Sequence, residues 1–281
     1  MNKNQIYTHI SSKNTWYHID FKEIWRYRDL LKMLVKRDVI IVYKQTILGP
    51  IWFVLQPILT AVIFTLVFGK IAHLPSDNLP SFAFYLCGLV MWNYFSDCFI
   101  KTSDTFFVNQ NLFGKVYFPR LVVPMGTILS GLIKFMVQFF VLIFVCCYHY
   151  FISGLISPTI YILFLPLIIL LMAIFGMGLG LIFTSLTTKY RDLKFLLQFG
   201  VQLLMWLTPV AYPLSTVSGN YQLLLKLNPI THLIELLKLG MLGKGFFELN
   251  WLIYSSIIAI VITTIGLFIF NKTEKDFIDK I

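Results

Sequence analysis

The long stretches without a charged residue are the feature of this sequence that most restricts its fold. Four of them cover residues 45–69, 78–96, 195–225 and 249–271, and a helix needs about 20 residues to cross a bilayer. A fifth stretch, residues 135–188, is long enough for two helices with a turn at residues 153–158. The sequence therefore predicts six transmembrane helices, of which the third begins near Leu121 and contains Lys134.

Composition agrees with this prediction. Apolar residues make up 58% of the 281 residues and charged residues only 13%, too few to cover the surface of a soluble domain of this size. The apolar stretches are continuous and do not alternate with polar residues, which disfavours a transmembrane β-barrel. We expect an all-α membrane protein with a six-helix transmembrane domain over residues 46–271.

Lysine and arginine indicate the orientation. Eighteen of them fall before the first apolar stretch, in the loops after the second and fourth, and in the tail, whereas only four lie on the opposite side. Short cytoplasmic loops carry such an excess, so both termini are predicted in the cytoplasm, including the tail at residues 272–281. Anionic lipid headgroups account for the pI of about 9.4, and a nucleic-acid partner is not expected.

The segment before the first apolar stretch predicts an amphipathic helix within a cytoplasmic N-terminal region, residues 1–45. Its apolar residues recur at helical spacing at Ile24, Tyr27, Leu31, Leu34 and Val35, among the basic residues Lys22, Arg26, Arg28, Lys32 and Lys36. A helix of this kind lies on the membrane surface. A soluble helix that caps the domain is the alternative.

An external region, residues 213–250, separates the predicted fifth and sixth helices. Its two apolar pieces, residues 221–227 and 230–242, are too short to cross a bilayer. Asn228 and Pro229 fit a helix N-cap followed by proline at the first helical position. We expect two short re-entrant helices that protein covers or that face water, and a loop on the membrane surface is the alternative.

Two charges fall inside predicted spans, and four cysteines lie in or beside them. Asp97 and Lys134 occupy matching depths of neighbouring antiparallel helices, so we expect them to pair, because an isolated charge in the membrane is costly. Hydration of Asp97 near the cytoplasmic interface is the alternative. The cysteines lack the spacing of a metal site, and we interpret them as packing residues: Cys87, Cys98, Cys146 and Cys147.

Several segments carry a family resemblance: LVKRDVIIVYKQTILGPIWFVLQPIL, LFGKVYFPRLVVP, YRDLKFLLQFGVQLLMWLTPVAYP and LNPITHLIELLKLGML. They resemble the permease subunits of bacterial ABC exporters for polysaccharides, over nearly the whole chain beyond residues 1–20. The resemblance implies a multi-pass protein of the cytoplasmic (inner) membrane that exports lipid-linked O-antigen of lipopolysaccharide, capsule or teichoic acid. It also implies a homodimer that binds two copies of a cytoplasmic ABC ATPase.

The sequence contains no G-x-x-x-x-G-K-[ST] phosphate-binding loop. Its glycine cluster at residues 176–180 lies in an apolar helix and predicts close helix packing. We therefore expect no cofactor in this chain, with ATP and Mg²⁺ bound by the separate ATPase. A short helix over residues 104–118 is predicted to contact that ATPase, through Phe106, Phe107, Leu112, Phe113, Lys115 and Arg120. An interfacial loop anchored by Tyr117 and Arg120 is the alternative.

The resemblance also implies that the first and fifth helices line the transport path. The residues that we expect there are Trp52, Phe53, Gln56, Phe64, Phe68, Gln198, Gln202, Trp206 and Tyr212. Aromatic faces stack weakly on sugar rings, although most aromatic residues of a membrane protein face lipid. An external gate is predicted in the outer region, at His232, Leu233, Glu235 and Leu237.

Two other functions compete with polysaccharide export. An ABC exporter of small amphiphiles would have the same topology. A membrane glycan transferase would need carboxylates, histidines or metal ligands gathered at one interface. The external histidines and acids, among them His73, His149, Asp77 and Glu248, have no such spacing, so we predict no catalytic residue and no metal site.

Overall fold

We describe the fold from a computed structural model, which covers residues 21–44, 49, 51–113, 118–190 and 192–278. Within these ranges the regular secondary structure is entirely helical, which confirms the all-α prediction. In chain order the helices are α1 (Phe21–Arg26), α2 (Arg28–Lys44), α3 (Ile51–Phe64), α4 (Ser81–Ser103), α5 (Thr105–Val108), α6 (Gln110–Phe113), α7 (Val122–Ile152), α8 (Leu165–Lys189), α9 (Leu193–Trp206), α10 (Asn220–Leu227), α11 (Pro229–Leu242) and α12 (Leu249–Ile278). A π-helical segment, Thr65–Ile71, extends α3, and a 3₁₀ turn, Ile160–Phe164, leads into α8.

Five helical segments of the described chain are long and apolar enough to cross a membrane. They are Ile51–Ile71, Ser81–Ser103, Val122–Ile152, Ile160–Lys189 and Leu249–Thr273. These segments correspond to the first, second, third, fourth and sixth predicted helices, and residues 153–159 form the predicted turn between the third and fourth.

The predicted fifth helix is shorter than expected. Within the apolar stretch 195–225 the first helix, α9, has 14 residues and ends at Trp206, fewer than the about 20 that a perpendicular crossing needs. Pro209 and Pro213 follow within seven residues. Proline has no backbone N–H to donate, and its ring clashes with the preceding turn of a helix. The chain therefore continues as turns and a 3₁₀ segment, Leu214–Thr216.

α4 is the central helix of the bundle. Most of its side chains are buried, and it packs against α3, α7, α8, α9 and α11. Its last carbonyl groups, which lack helical partners, accept hydrogen bonds from α8. Thr184 Oγ1 donates to Thr102 O at 2.8 Å, and Thr187 Oγ1 donates to Ser103 O at 2.6 Å.

Small residues allow α8 to approach α4 and α12 closely. A Cβ placed on Gly176 would lie 2.8 Å from Cys98 Cβ, and one on Gly180 would lie 2.5 Å from Thr102 Cβ. The close packing predicted for the glycine cluster is confirmed. Both pairs advance in the same chain direction, so α4 and α8 run parallel. α12 is also parallel to α8, since Thr263 Oγ1 donates to Ile174 O and Gly266 lies against Leu181 further along.

α3 contains a proline whose effect is compensated by a neighbour. Pro57 lies inside α3 and leaves the carbonyl of Phe53 without its helical donor. Gln138 of α7 is buried and donates from Nε2 to Phe53 O at 3.1 Å. The Gln138 side chain of α7 thus supplies the hydrogen bond that Pro57 removes from α3.

The predicted amphipathic helix is present as α1 and α2. Ile24 and Leu34 are buried, whereas the basic residues of the opposite face are exposed: Arg26, Arg28, Lys32 and Lys36. Leu34 packs on α7 at Gly126, where a Cβ would lie 3.3 Å from Leu34 Cβ. α2 is therefore held against the start of the third span.

Candidate functional site

An aromatic cluster joins α3 and α9 at the end of the bundle where α4 begins. Phe64 stacks on Trp206 with ring centroids 6.0 Å apart, and Phe68 meets the same indole edge-on at 5.8 Å. Tyr85 of α4 packs on both phenyl rings. The Tyr212 hydroxyl donates to Trp206 O at 3.0 Å. The structure thus brings together Phe64, Phe68, Trp206 and Tyr212 of the predicted path, and Tyr85 is an additional member.

The other predicted path residues lie outside this cluster, on α3 before Phe64 and on α9 before Trp206. Trp52 is 45% exposed and Phe53 is half-buried, and neither belongs to the aromatic cluster. Gln56, Gln198 and Gln202 are exposed on α3 and α9. An amide side chain on an apolar helix faces protein or water rather than lipid. The exposed faces of α3 and α9 therefore carry polar groups that a lipid-facing surface would not favour.

Asp97 and Lys134 form an ion pair between α4 and α7. Lys134 Nζ donates to Asp97 Oδ2 at 2.9 Å, and Lys101 Nζ lies 3.8 Å from the same oxygen. The side chains of Lys134 and Asp97 are 17% and 23% exposed. Both side chains are therefore partly exposed, and the Asp97 carboxylate has a second cation, Lys101, close by.

The segment after α4 contains two one-turn helices separated by Asn109, rather than one helix over 104–118. Phe106 and Phe113 point into the protein, where Phe106 stacks on Phe270 of α12 at 4.9 Å. Arg120 lies over the Phe113 ring at 5.2 Å. These two phenylalanines are thus interior packing residues in this conformation and are not presented to a partner.

The exposed residues of this segment lie beside the interior ones. Phe107 is 43% exposed and Val108 is 64% exposed, with Lys194 Nζ 5.7 Å from the Phe107 ring. Leu112 is half-buried. Lys115 and Tyr117, which were predicted to contact the ATPase or the membrane interface, lie outside the described residues. Sequence analysis did not single out Val108, because valine in this position differs little from its apolar neighbours.

α11 begins as the sequence predicts. The Asn228 side chain accepts a hydrogen bond from Ile230 N at 3.1 Å, and Pro229 is the first helical residue. The helix is buried on all sides, between α4, α8, α12 and the 3₁₀ turn before α8. Each of the predicted gate residues is buried: His232, Leu233, Glu235 and Leu237.

Lys238 of α11 finds its polar partners inside the protein. Lys238 Nζ donates to Glu235 Oε1 at 3.1 Å and to Pro209 O at 2.6 Å, and it lies 3.9 Å from the Phe84 ring centroid. Burial raises the pKa of Glu235, and Lys238 opposes this shift. Burial lowers the pKa of His232, whose ring stacks on Trp251 at 4.9 Å. Lys238 thus links α11 to the turn after α9.

Two supporting residues were missed at the sequence level. The sequence places Lys238 on one side of this helix with His232 and Glu235, but its ion pair with Glu235 was not predicted, although a spacing of three is that of a pair on one helix face. Gln138 was also missed, and the signal was the proline inside the neighbouring span. Within the described residues there is no group of three or more His, Cys, Asp or Glu that could hold a metal ion.

Comparisons with known proteins extend over most of the chain. The sequence profile of the ABC-2 type transporter family matches residues 29–242. The O-antigen export system permease protein RfbA of Klebsiella pneumoniae is 27% identical over 250 residues, which cover 89% of this chain and 93% of that protein. The RfbA protein of Myxococcus xanthus is 29% identical over 213 residues, or 74% and 78% of the two chains. The polysialic acid transport protein KpsM of Escherichia coli is 25% identical over 231 residues, or 81% and 87%.

Proposed function

The chain belongs to the ABC-2 type transporter family, and we propose that it is the permease subunit of an ATP-driven exporter of lipid-linked polysaccharide. The observation that carries the proposal is its similarity to O-antigen and polysialic acid permeases over at least four fifths of its length in two cases. Its apolar helices suit a multi-pass protein of the cytoplasmic membrane. The chain is a transport subunit rather than an enzyme.

Energy comes from a separate subunit in this proposal. The chain lacks a phosphate-binding loop motif, so ATP and Mg²⁺ are assigned to a cytoplasmic ABC ATPase. We place its docking surface at the described part of segment 104–118, where Phe107 and Val108 are exposed. The stacked Phe106 and Phe270 rings beneath them connect that surface to α12. Force applied there reaches a transmembrane helix through packed side chains.

Six crossings of the membrane are supported by helix directions. α8 ends near the end of α4, where Thr187 meets Ser103 O. α12 is parallel to α8 and begins at the opposite end, beside α11, where Ser255 Oγ donates to Pro229 O. The chain between them must therefore cross back.

α9 supplies most of that return. Lys194, near its start, pairs with Asp104 at 2.7 Å, and Trp206, at its end, packs on Phe64. We propose that α9 and the turns after it form the fifth crossing. Both termini then lie in the cytoplasm, and α10 and α11 form the external re-entrant region.

A second copy of the chain completes the transport path in this proposal. The exposed amides of α3 and α9, at Gln56, Gln198 and Gln202, require protein or water as neighbours. Both are supplied if two copies face each other across these helices and enclose a hydrated conduit. Trp52, Trp206 and the cluster around Phe68 then offer aromatic faces to a moving glycan.

Export is tested in cells that carry the gene with its neighbouring ATPase gene. Removal of this chain should abolish the surface polysaccharide and cause the lipid-linked glycan to accumulate inside, and a copy of the gene should restore both. An ATPase variant that binds but does not hydrolyse ATP is the matched control and should give the same accumulation. Normal surface polysaccharide together with new sensitivity to amphiphilic drugs would overturn polysaccharide export in favour of small-molecule export.

A further inference from the structure

A charged cavity lies among α2, α3, α4, α5 and α7, and the proposed export function does not use it. Its volume is about 380 Å³, within the range of small-ligand sites. The charged side chains that line it are Arg37, Asp38, Asp97, Lys101, Asp104 and Lys134. Thr127 and Ser130 also line the cavity, and their hydroxyls donate to backbone carbonyls of α7. Groups of both signs therefore converge on one space.

The side chains that line the cavity carry both signs of charge. Its three cations match its three carboxylates in number, so the lining itself has no net charge, and Lys194 outside the lining pairs with Asp104 at 2.7 Å. Lys134 is engaged with Asp97 at 2.9 Å, and Arg37 contacts Asp38 at 2.8 Å. Arg37 and Lys101 remain 42% and 47% exposed. A ligand that carries one positive and one negative group matches this arrangement better than a simple anion.

The cavity is bordered by apolar side chains as well as charges. Val39, Ile41, Phe53 and Val108 contribute to its lining, and both Ile41 and Val108 are exposed. A small soluble zwitterion gains little from such neighbours, whereas an amphiphile buries its chains against them. The cavity also lies beside amphipathic α2, at the cytoplasmic end of the spans in the proposed orientation, where lipid headgroups are found.

We propose that this cavity binds the headgroup of an aminophospholipid, a phosphodiester joined to a primary ammonium. The phosphate takes Arg37 and Lys101, the two more exposed cations. The ammonium takes Asp38 Oδ2 and Asp104 Oδ1, because Arg37 holds Asp38 Oδ1 and Lys194 lies 2.7 Å from Asp104 Oδ2. The acyl chains leave along the exposed Ile41 and Val108.

Such a lipid would join the amphipathic helix to the coupling segment, the described part of segment 104–118 on which the ATPase is proposed to dock. Arg37 Nη1 already donates to Asn109 Oδ1 at 3.2 Å, and Asn109 separates the two one-turn helices below α4. A phosphate on Arg37 and Lys101 would bridge α2 and α4 at the same level. The bound lipid would therefore stabilise the surface that receives the ATPase.

Native mass spectrometry of the full-length permease in mild detergent tests this site. The protein is incubated with equal amounts of phosphatidylethanolamine and phosphatidylglycerol. We expect phosphatidylethanolamine to be retained preferentially, and Lys101→Gln and Asp38→Asn each to reduce its retention about tenfold, the effect of one charge-assisted hydrogen bond. Lys101→Arg keeps the charge and should retain the lipid. Lys32→Gln, which removes an exposed ion pair of α2 with Asp29, is the control and should retain it as well.

Three results would overturn the proposal. Phosphatidylglycerol retained as well as phosphatidylethanolamine would show that the ammonium is not recognised. Unchanged retention by both Lys101→Gln and Asp38→Asn would place the lipid elsewhere. Displacement of the lipid by free phosphoethanolamine at equal concentration would identify a soluble ligand instead. Equal melting temperatures of the lipid-free variants exclude misfolding, and the assay needs neither ATPase nor glycan, so its outcome is independent of the export function.

Discussion

Asp97 and Lys134 show how an apolar span accommodates a charged residue. The two side chains meet at 2.9 Å, but neither is fully buried, and Lys101 lies 3.8 Å from the same carboxylate oxygen. Partial exposure lowers the desolvation cost of both groups, and the second cation limits the cost of losing the first. The pair thus combines direct contact with partial exposure of both side chains.

Lys134→Met should destabilise the permease by about 2 kcal/mol, less than a fully buried pair would lose, because Lys101 can still approach Asp97. Asp97→Asn combined with Lys134→Met should recover part of this loss, since the charge that then loses its neighbour, Lys101, is 47% exposed. Thermal unfolding of the purified variants measures both effects. Strict additivity of the two single changes would contradict a direct interaction.

The ion pair of Asp97 and Lys134 was predictable from sequence, because both residues lie at the same depth in neighbouring helices. Other residue contacts were not predictable in this way. Asp97 and Lys134 lie on consecutive antiparallel spans, so counting residues from the helix ends brings them to one level. Lys238 instead donates to Pro209 O at 2.6 Å, a group 29 residues earlier in an irregular turn. No periodicity fixes the position of such a turn, so this contact required the structure.

Continuous apolar stretches predicted the helices reliably where one stretch forms one helix. The spans around α4, α7 and α12 were found within a few residues, except that α4 and α12 extend further into polar sequence. The stretch 195–225 failed because it covers α9, irregular turns and most of α10 with the same hydrophobicity. Segment 104–118 failed differently, since helical spacing of phenylalanines does not reveal whether they pack inward or outward.

The parallel helices α4 and α8 provide a test of close packing. In Gly180→Ala the new methyl would lie 2.5 Å from Thr102 Cβ and 2.8 Å from Phe99 O, so the helices must separate. We expect a loss of about 1–3 kcal/mol, measured as a lower melting temperature. Gly200→Ala on α9 is the matched control, because its methyl has no atom within 4 Å, and helix propensity makes it neutral or slightly stabilising. Equal melting temperatures for the two variants would contradict tight α4–α8 contact.

The buried position of α11 gives a test of the external gate. Leu233→Cys and Leu237→Cys, each in a Cys147→Ser background that removes the exposed native thiol, should resist a membrane-impermeant thiol reagent at rest. During ATP turnover with the ATPase we expect faster labelling, because opening the path exposes this helix. Tyr221→Cys on α10, whose native side chain is 75% exposed, should react at both stages. Labelling of Leu233→Cys at rest as fast as Tyr221→Cys would exclude a closed gate.

Buried contacts at the two ends of α4 connect the parts of the molecule that are proposed to lie at the two membrane faces. At the cytoplasmic end in the proposed orientation, Phe106 stacks on Phe270 and Thr187 donates to Ser103 O. At the other end, Lys238 joins α11 to the turn after α9 and packs on Phe84. Because α4 is common to both ends and most of its side chains are buried, we expect a displacement of the coupling segment to reach the external region through this helix.

The interior and exposed residues of the coupling segment should respond differently to a new charge. Phe107→Asp with Val108→Asp changes side chains that are 43% and 64% exposed, so the permease should insert and fold but lose ATPase binding and export together, because a carboxylate enters the apolar contact. Phe113→Asp instead places a charge among buried rings and should lower the amount of folded permease.

Leu155→Asp, an exposed site in the turn after α7, controls for the added charge and should keep both activities. Pull-down of the ATPase with detergent-extracted permease at matched expression measures binding. Full ATPase binding and export by the Phe107→Asp, Val108→Asp variant would show that the ATPase docks on another part of the cytoplasmic surface.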